Sequence, residues 1–159
     1  MSEKCVILGL GNILLKDEGL GVHLIRELEK VTLPKEVELI DGGTASLDAL
    51  SSLKNLTKLI IIDSVTCGQE PGSVYHLRPD DLRLEPTDST LSLHQMGLLP
   101  TLKAVEKLGN LPSEIIIIGV EPKTIDWGLE LSPEVRQKIP AVLNLIFKEL
   151  ALEKVGDKR

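Results

Sequence analysis

Aromatic side chains are almost absent from this chain. Its 159 residues hold one Trp, one Tyr and one Phe, at Trp127, Tyr75 and Phe147. Stacking platforms for single-stranded nucleic acid or sugars are therefore not expected. Basic charge is scarce too. Lys and Arg total 18 against 24 Asp and Glu, a net charge of −6, so the clustered positive field that nucleic acid requires is missing. No apolar run approaches the roughly 20 residues of a bilayer span. The opening Met1-Ser2-Glu3-Lys4 lacks the basic and apolar regions of a secretory signal. The expected location is cytoplasmic, with neither membrane nor nucleic acid as partner. The two cysteines, Cys5 and Cys67, form no C-x-x-C pair and no disulfide framework. Cys5 opens an apolar run and reads as a small buried hydrophobe. Cys67 lies in a turn-rich stretch with nothing that marks a nucleophile.

What is present is the composition of one globular domain over residues 1–159, 42% hydrophobic and 26% charged. Four short apolar runs read as strands: Cys5–Leu8, Val37–Ile40, Leu59–Ile62 and Ile115–Ile118. The first, third and fourth are apolar throughout, the pattern of parallel strands covered on both faces. A mixed run, Ser73–Leu77, reads as an edge strand. Leu20, Leu24, Ile25, Leu28 and Val31 recur at helical spacing. Leu47, Leu50 and Leu53 mark a short helix with Thr44 as N-cap, and Ser92 with Gln95 has capping-box spacing. Ser132-Pro133 opens the last helix as N-cap and first-turn proline. Its apolar face is Val135, Ile139, Val142, Leu143, Ile146 and Leu150. Pro100 and Pro140 should kink or break the helices that contain them. Strands alternating with helices predict a three-layer α/β/α sandwich.

In an open α/β sheet, ligands bind beyond the carboxyl ends of the strands. There the chain places Gly9-Leu10-Gly11-Asn12 with Asp17-Glu18, then Asp41-Gly42-Gly43-Thr44, Asp63-Ser64 and Gly119-Val120-Glu121-Pro122. A strand-end acid often only caps a neighbour, but several at one rim point to a site. A dinucleotide-binding domain would use Gly9-x-Gly11 and Asp41, but Leu14 occupies the third glycine position, and Asp17 and Glu18 would repel a pyrophosphate. Carboxylates plus one imidazole suit a divalent transition metal better. Glu18, Asp63 and His94 would supply two oxygens and one nitrogen and leave coordination positions open. His94, near a helix start, is held neutral, the metal-binding form. His23 reads as a solvated residue facing Glu27, and His76 as an edge-strand residue. Ser64, His94 and Asp41 could make a triad, but no G-x-S-x-G elbow presents the serine.

Five blocks in order carry a resemblance. Gly9-Leu-Gly-Asn-Ile-Leu-Leu-Lys-Asp-Glu-Gly-Leu-Gly-Val22, Asp41-Gly-Gly-Thr44, Ile61-Ile-Asp63, Leu93-His-Gln-Met-Gly-Leu98 and Gly119-Val-Glu-Pro122 resemble those of the nickel-iron hydrogenase maturation endopeptidases. The resemblance implies a phosphorylase/hydrolase-like α/β fold, with a mixed five-stranded sheet in the order 2-1-3-5-4 and strand four antiparallel. It implies an enzyme that removes a C-terminal extension from the large-subunit precursor of a nickel-iron hydrogenase after nickel insertion. Its metal-contacting residues map onto Glu18, Asp63 and His94, with Asp41 a further candidate. Nickel would then be brought by the substrate, not held as a cofactor. A carboxylate, Asp41 or one of Glu18 and Asp63 released from the metal, could act as general base, or nickel itself could polarise the peptide carbonyl or activate water. No D-T-G pair and no H-E-x-x-H is present to suggest the common aspartic or zinc protease mechanisms. A nickel-dependent chaperone or binding module without hydrolysis is the alternative.

Overall fold

Strand β1 (Cys5–Leu10) is buried at all six positions. Only a strand flanked on both edges and covered on both faces hides every residue. Residues 4–43, 56–78 and 112–150 are described by the computed structural model, and within them β1 lies between β2 (Val37–Gly43) and β3 (Lys58–Ser64). Beyond β3 come β5 (Glu114–Val120) and then β4 (Val74–Leu77). The order is β2-β1-β3-β5-β4. All neighbours are parallel except β4 and β5, which run antiparallel. The expected topology is the one found, and the mixed-polarity strand lies at an edge.

The three central strands divide their side chains between two apolar clusters, as period-two alternation requires. Ile7, Ile60, Ile62, Ile116 and Ile118 face α1 (Leu20–Leu28) and α3 (Ile139–Glu149) through Leu20, Leu24, Leu28, Val142, Ile146 and Phe147. Val6, Leu8, Leu10, Leu59, Ile61, Ile115 and Ile117 form the second cluster on the opposite face. Each fully buried Leu, Ile or Phe contributes about 1.5–3 kcal/mol. The rim where the strands end therefore rests on a rigid support.

The helix ends follow the local chemistry. The Ser132 hydroxyl caps the short α2 (Pro133–Arg136) by accepting from the Val135 amide at 3.4 Å. The expected last helix breaks after α2, and Pro140 falls in the first turn of α3, where its missing N–H costs nothing. Helix α1 stops at Leu28, so Val31 is not helical. It packs on the core from a turn whose amide reaches the Leu28 carbonyl at 3.0 Å. The strands also run longer than their apolar runs. Asp41, Asp63 and Gly119 lie inside β2, β3 and β5, not after them. The cause is pairing: Asp41 is in register with Gly9, and Asp63 with Gly119. A partner strand offering backbone hydrogen bonds outweighs the weak strand preference of Asp and Gly. Thr44, the 47–53 helix, Ser92, Gln95 and Pro100 lie outside the described residues.

Candidate active site

The rim is built by the turn that leaves β1. Gly11 has a φ of +123°, and a Cβ there would collide with the Glu18 carbonyl and stand 3.7 Å from the Asp63 Oδ1. Only glycine lets the Glu18 turn settle this closely over β1 and β3. The Asn12 side chain tightens the turn by accepting from the Leu14 amide at 2.9 Å. A 3₁₀ turn, Lys16–Gly19, then carries both acids into α1. At Gly21, any Cβ would strike the backbone of Leu10 and Ile62, so α1 lies directly on the strands.

Asp63 is 6% exposed. Its Oδ1 accepts the Ser64 amide at 2.8 Å. Burial pushes its carboxyl up from 3.8 to about 7. The Ser64 amide offsets part of that rise, and the neighbouring Glu18 charge adds to it. Glu18 is half-buried. Among the described residues no cation offsets the charge of these two carboxylates, the electrostatic condition that favours a cation.

Asp41 does not join this pair. It is exposed in edge strand β2, in register with Gly9, which is in register with Ile62. Alternation turns Gly9 and Ile62 toward α1, so Asp41 points to that face and Asp63 to the other. Two strand spacings, about 10 Å, separate their strands. His94 lies outside the described residues, and among those described no three His, Cys, Asp or Glu side chains gather as a metal site.

His23 departs from expectation. It is half-buried on α1, and the Leu129 backbone hydrogen-bonds the imidazole. Burial, with Arg26 nearby, lowers its pKa. Glu27 instead pairs with Lys30 at 3.3 Å. His76 is exposed on β4, with Nε2 2.7 Å from Glu149 Oε2. Cys67 donates its amide to Glu121 Oε1 at 2.9 Å, and the same oxygen accepts the Tyr75 hydroxyl. Burial and the Glu121 charge push the Cys67 thiol up, so it is no activated nucleophile.

Sequence reasoning missed the role of Asp17. It is fully buried. Oδ2 accepts the amides of Lys123 and Thr124 at 2.8 and 2.9 Å and the Ser132 hydroxyl at 2.8 Å, and Oδ1 accepts the Ser132 amide at 2.7 Å. Asp17 therefore binds the β1–α1 turn to the loop between β5 and α2. The signal lay in adjacency: consecutive residues of a 3₁₀ turn point about 120° apart, so two neighbouring acids cannot face one cleft.

A family model described as hydrogenase maturation protease matches residues 22–149. The chain is 34% identical over 149 residues to the hydrogenase 2 maturation protease of Escherichia coli K12, covering 92% of this chain and 90% of that one. It is 35% identical over 151 residues to the hydrogenase expression/formation protein HupD of Bradyrhizobium diazoefficiens, covering 94% and 79%. Among solved structures, the hydrogenase maturating endopeptidase HybD from E. coli superposes with a TM-score of 0.80 at 33% identity, over 93% of this chain and 92% of that one. The [NiFe] hydrogenase maturation protease HybD from Thermococcus kodakarensis gives 0.74 at 28% identity, over 92% and 98%.

Proposed function

Because this chain belongs to the hydrogenase maturation protease family, whose members are peptide hydrolases, we propose that it removes the C-terminal extension of a nickel-iron hydrogenase large-subunit precursor once nickel is in place. The observation that carries this reading is the Glu18–Asp63 pair. A buried carboxyl pushed up to about 7 beside a second carboxylate is stabilised by an arriving divalent cation. Nickel is cargo of the substrate here. Glu18 and Asp63, with His94 as the nitrogen ligand, receive the metal while it stays on the precursor.

Such a bridge makes tight binding conditional on a loaded precursor and holds the scissile peptide in place. Until the cation arrives, Asp63 retains a proton through much of the neutral range, and metal binding displaces that proton. Asp41 points to the other face of the sheet, two strand spacings away and out of hydrogen-bond reach, so in this reading the base that draws a proton from an attacking water is Glu18 or Asp63 released from the metal. The metal is never stored in this protein under this reading, so the fold does not depend on it.

The test uses purified precursor in nickel-loaded and nickel-free forms, each weighed by mass spectrometry after incubation with the protein. Loss of a C-terminal peptide from the loaded form alone is expected. Glu18→Gln and Asp63→Asn should leave the loaded form intact. Equal cleavage of both forms rejects nickel sensing. A loaded precursor that binds but keeps its full mass rejects hydrolysis in favour of a nickel-dependent chaperone.

A further inference from the structure

Four large hydrophobic residues stand exposed among the described residues: Leu14 at 49%, Ile125 at 48%, Trp127 at 75% and Leu129 at 62%. They are not scattered. Leu14 lies in the turn before Lys16–Gly19, and the other three follow one another at alternate positions in the loop from β5 to α2. Backbone hydrogen bonds join the two segments, from the Lys16 amide to the Gly128 carbonyl and from the Gly128 amide to the Leu14 carbonyl, both at 2.9 Å. The chain's single tryptophan is the most exposed member.

The patch is held rigidly. Asp17 accepts four hydrogen bonds from Lys123, Thr124 and Ser132. Its own amide donates to the Thr124 carbonyl at 3.1 Å. The Leu129 backbone is bonded to His23. Lys16 takes a left-handed φ of 50°, and Gly128 has a φ of +154°, where a Cβ would meet Lys16 Cε at 2.6 Å. Such conformations persist only where the surroundings over-determine them. Apolar residues fixed in water by this many contacts are a preorganised surface, since the ordering cost of binding is already met.

We propose that this patch docks the folded body of the large-subunit precursor, away from the peptide that is cut, with Trp127 as its anchor. The proposal rests on the reading that the precursor brings its nickel to Glu18. Continuity with that site selects the occupant. Glu18 follows Leu14 by four residues, a reach of at most about 14 Å, and its amide donates to the Leu15 carbonyl at 3.1 Å. A globular partner whose metal meets Glu18 must also cover Leu14 and the loop bonded to it. The matching surface is an apolar depression for the indole with an acceptor for its N–H. Fully desolvated Trp anchors of this kind dominate interface energies.

The test labels Trp127 with 5-fluorotryptophan, which gives the whole protein a single ¹⁹F resonance, and adds intact precursor. A shift or broadening of that resonance is expected with wild type and with Glu18→Gln. Trp127→Ala should melt within about 2 °C of wild type, as surface substitutions do, and raise the KM for nickel-loaded precursor about tenfold to thirtyfold, with kcat within about twofold. An unmoved resonance, or a Trp127→Ala KM equal to wild type, overturns the docking surface and leaves nickel sensing standing. Normal cleavage by Glu18→Gln overturns nickel sensing, while the resonance still reports docking. A resonance that moves on concentrating the protein alone assigns the patch to a second copy of this chain and overturns the proposal.

Discussion

Replacing Asp63 by Asn should stabilise the protein, and only above acidic pH. Asp63 ionises at about 7 in the folded chain against 3.8 in the ordinary state. Below pH 3.8 the group is protonated folded and unfolded, and the substitution changes no ionisation. Between 3.8 and about 7 the unfolded chain releases a proton that the folded chain keeps, so wild-type stability falls as pH rises through that window. Above it the loss is constant. A rise of about three pH units corresponds to about 4 kcal/mol at 1.36 kcal/mol each. If relaxation around the ionised carboxylate recovers half, about 2 kcal/mol remains, or about 4–8 °C in Tm for a domain of this length. The amide introduced by Asp63→Asn keeps an oxygen for the Ser64 amide, and any cost of its NH₂ group is independent of pH. Thermal melts of both proteins from about pH 5 to about pH 8.5 read the difference directly. The Tm advantage of Asp63→Asn should grow across that range and level off above about pH 7. A constant difference at every pH would falsify the claim that the Asp63 carboxyl is raised.

Asp17→Asn exchanges an all-acceptor carboxylate for a group that cannot accept all four donors, and should destabilise the fold by about 3–5 kcal/mol in denaturant melts; a loss under about 1 kcal/mol would show that the loop holds without it. Gly11→Ala forces a Cβ against the Glu18 carbonyl at a positive φ, so cleavage should drop at least tenfold with a stability loss of about 1–3 kcal/mol, and wild-type cleavage would mean that the Glu18 turn can shift freely. His94→Ala should fold with a stability change of about 0.5 kcal/mol or less and fail to process nickel-loaded precursor, whereas His23→Ala and His76→Ala should process it; cleavage by His94→Ala near the wild-type rate ends its assignment as a nickel ligand. Chelator should leave the melting temperature unchanged, and a drop of several degrees would reveal a structural metal whose binding energy is folding energy.

The central strands were legible because burial on both faces demands residues that are apolar without interruption, and Cys5–Leu8, Leu59–Ile62 and Ile115–Ile118 meet that demand. Their ends were not. Asp41, Asp63 and Gly119 belong to strands through their partners, and a pairing register leaves no mark in the sequence of one strand. The order 2-1-3-5-4 likewise came with the family resemblance and not from periodicity, which is the same for a strand wherever it lies in a sheet. The break at Pro140 was legible because it follows from one missing N–H.

At the rim, the sequence marked acids but could not separate their work. Asp17 and Glu18 are neighbours of the same chemical type, yet one is fully buried under four donors and the other is half-buried with its charge acting on Asp63. The difference depends on which backbone amides lie nearby, and those belong to residues 123, 124 and 132, more than a hundred positions away. The same separation explains His23, whose partner Leu129 is equally distant in the chain. A division of labour follows. Asp17 is saturated by donors, which fixes the turn in one position. Among the described residues Asp63 receives one amide, which leaves its charge under-compensated there and its carboxyl raised to about 7. Full compensation of both acids would make a stable turn with no appetite for a cation, and of neither a turn that could not hold its shape. The rim combines one acid spent on structure with one left short, next to the half-buried Glu18. That asymmetry is the physical basis for reading it as a place where a metal arrives from outside.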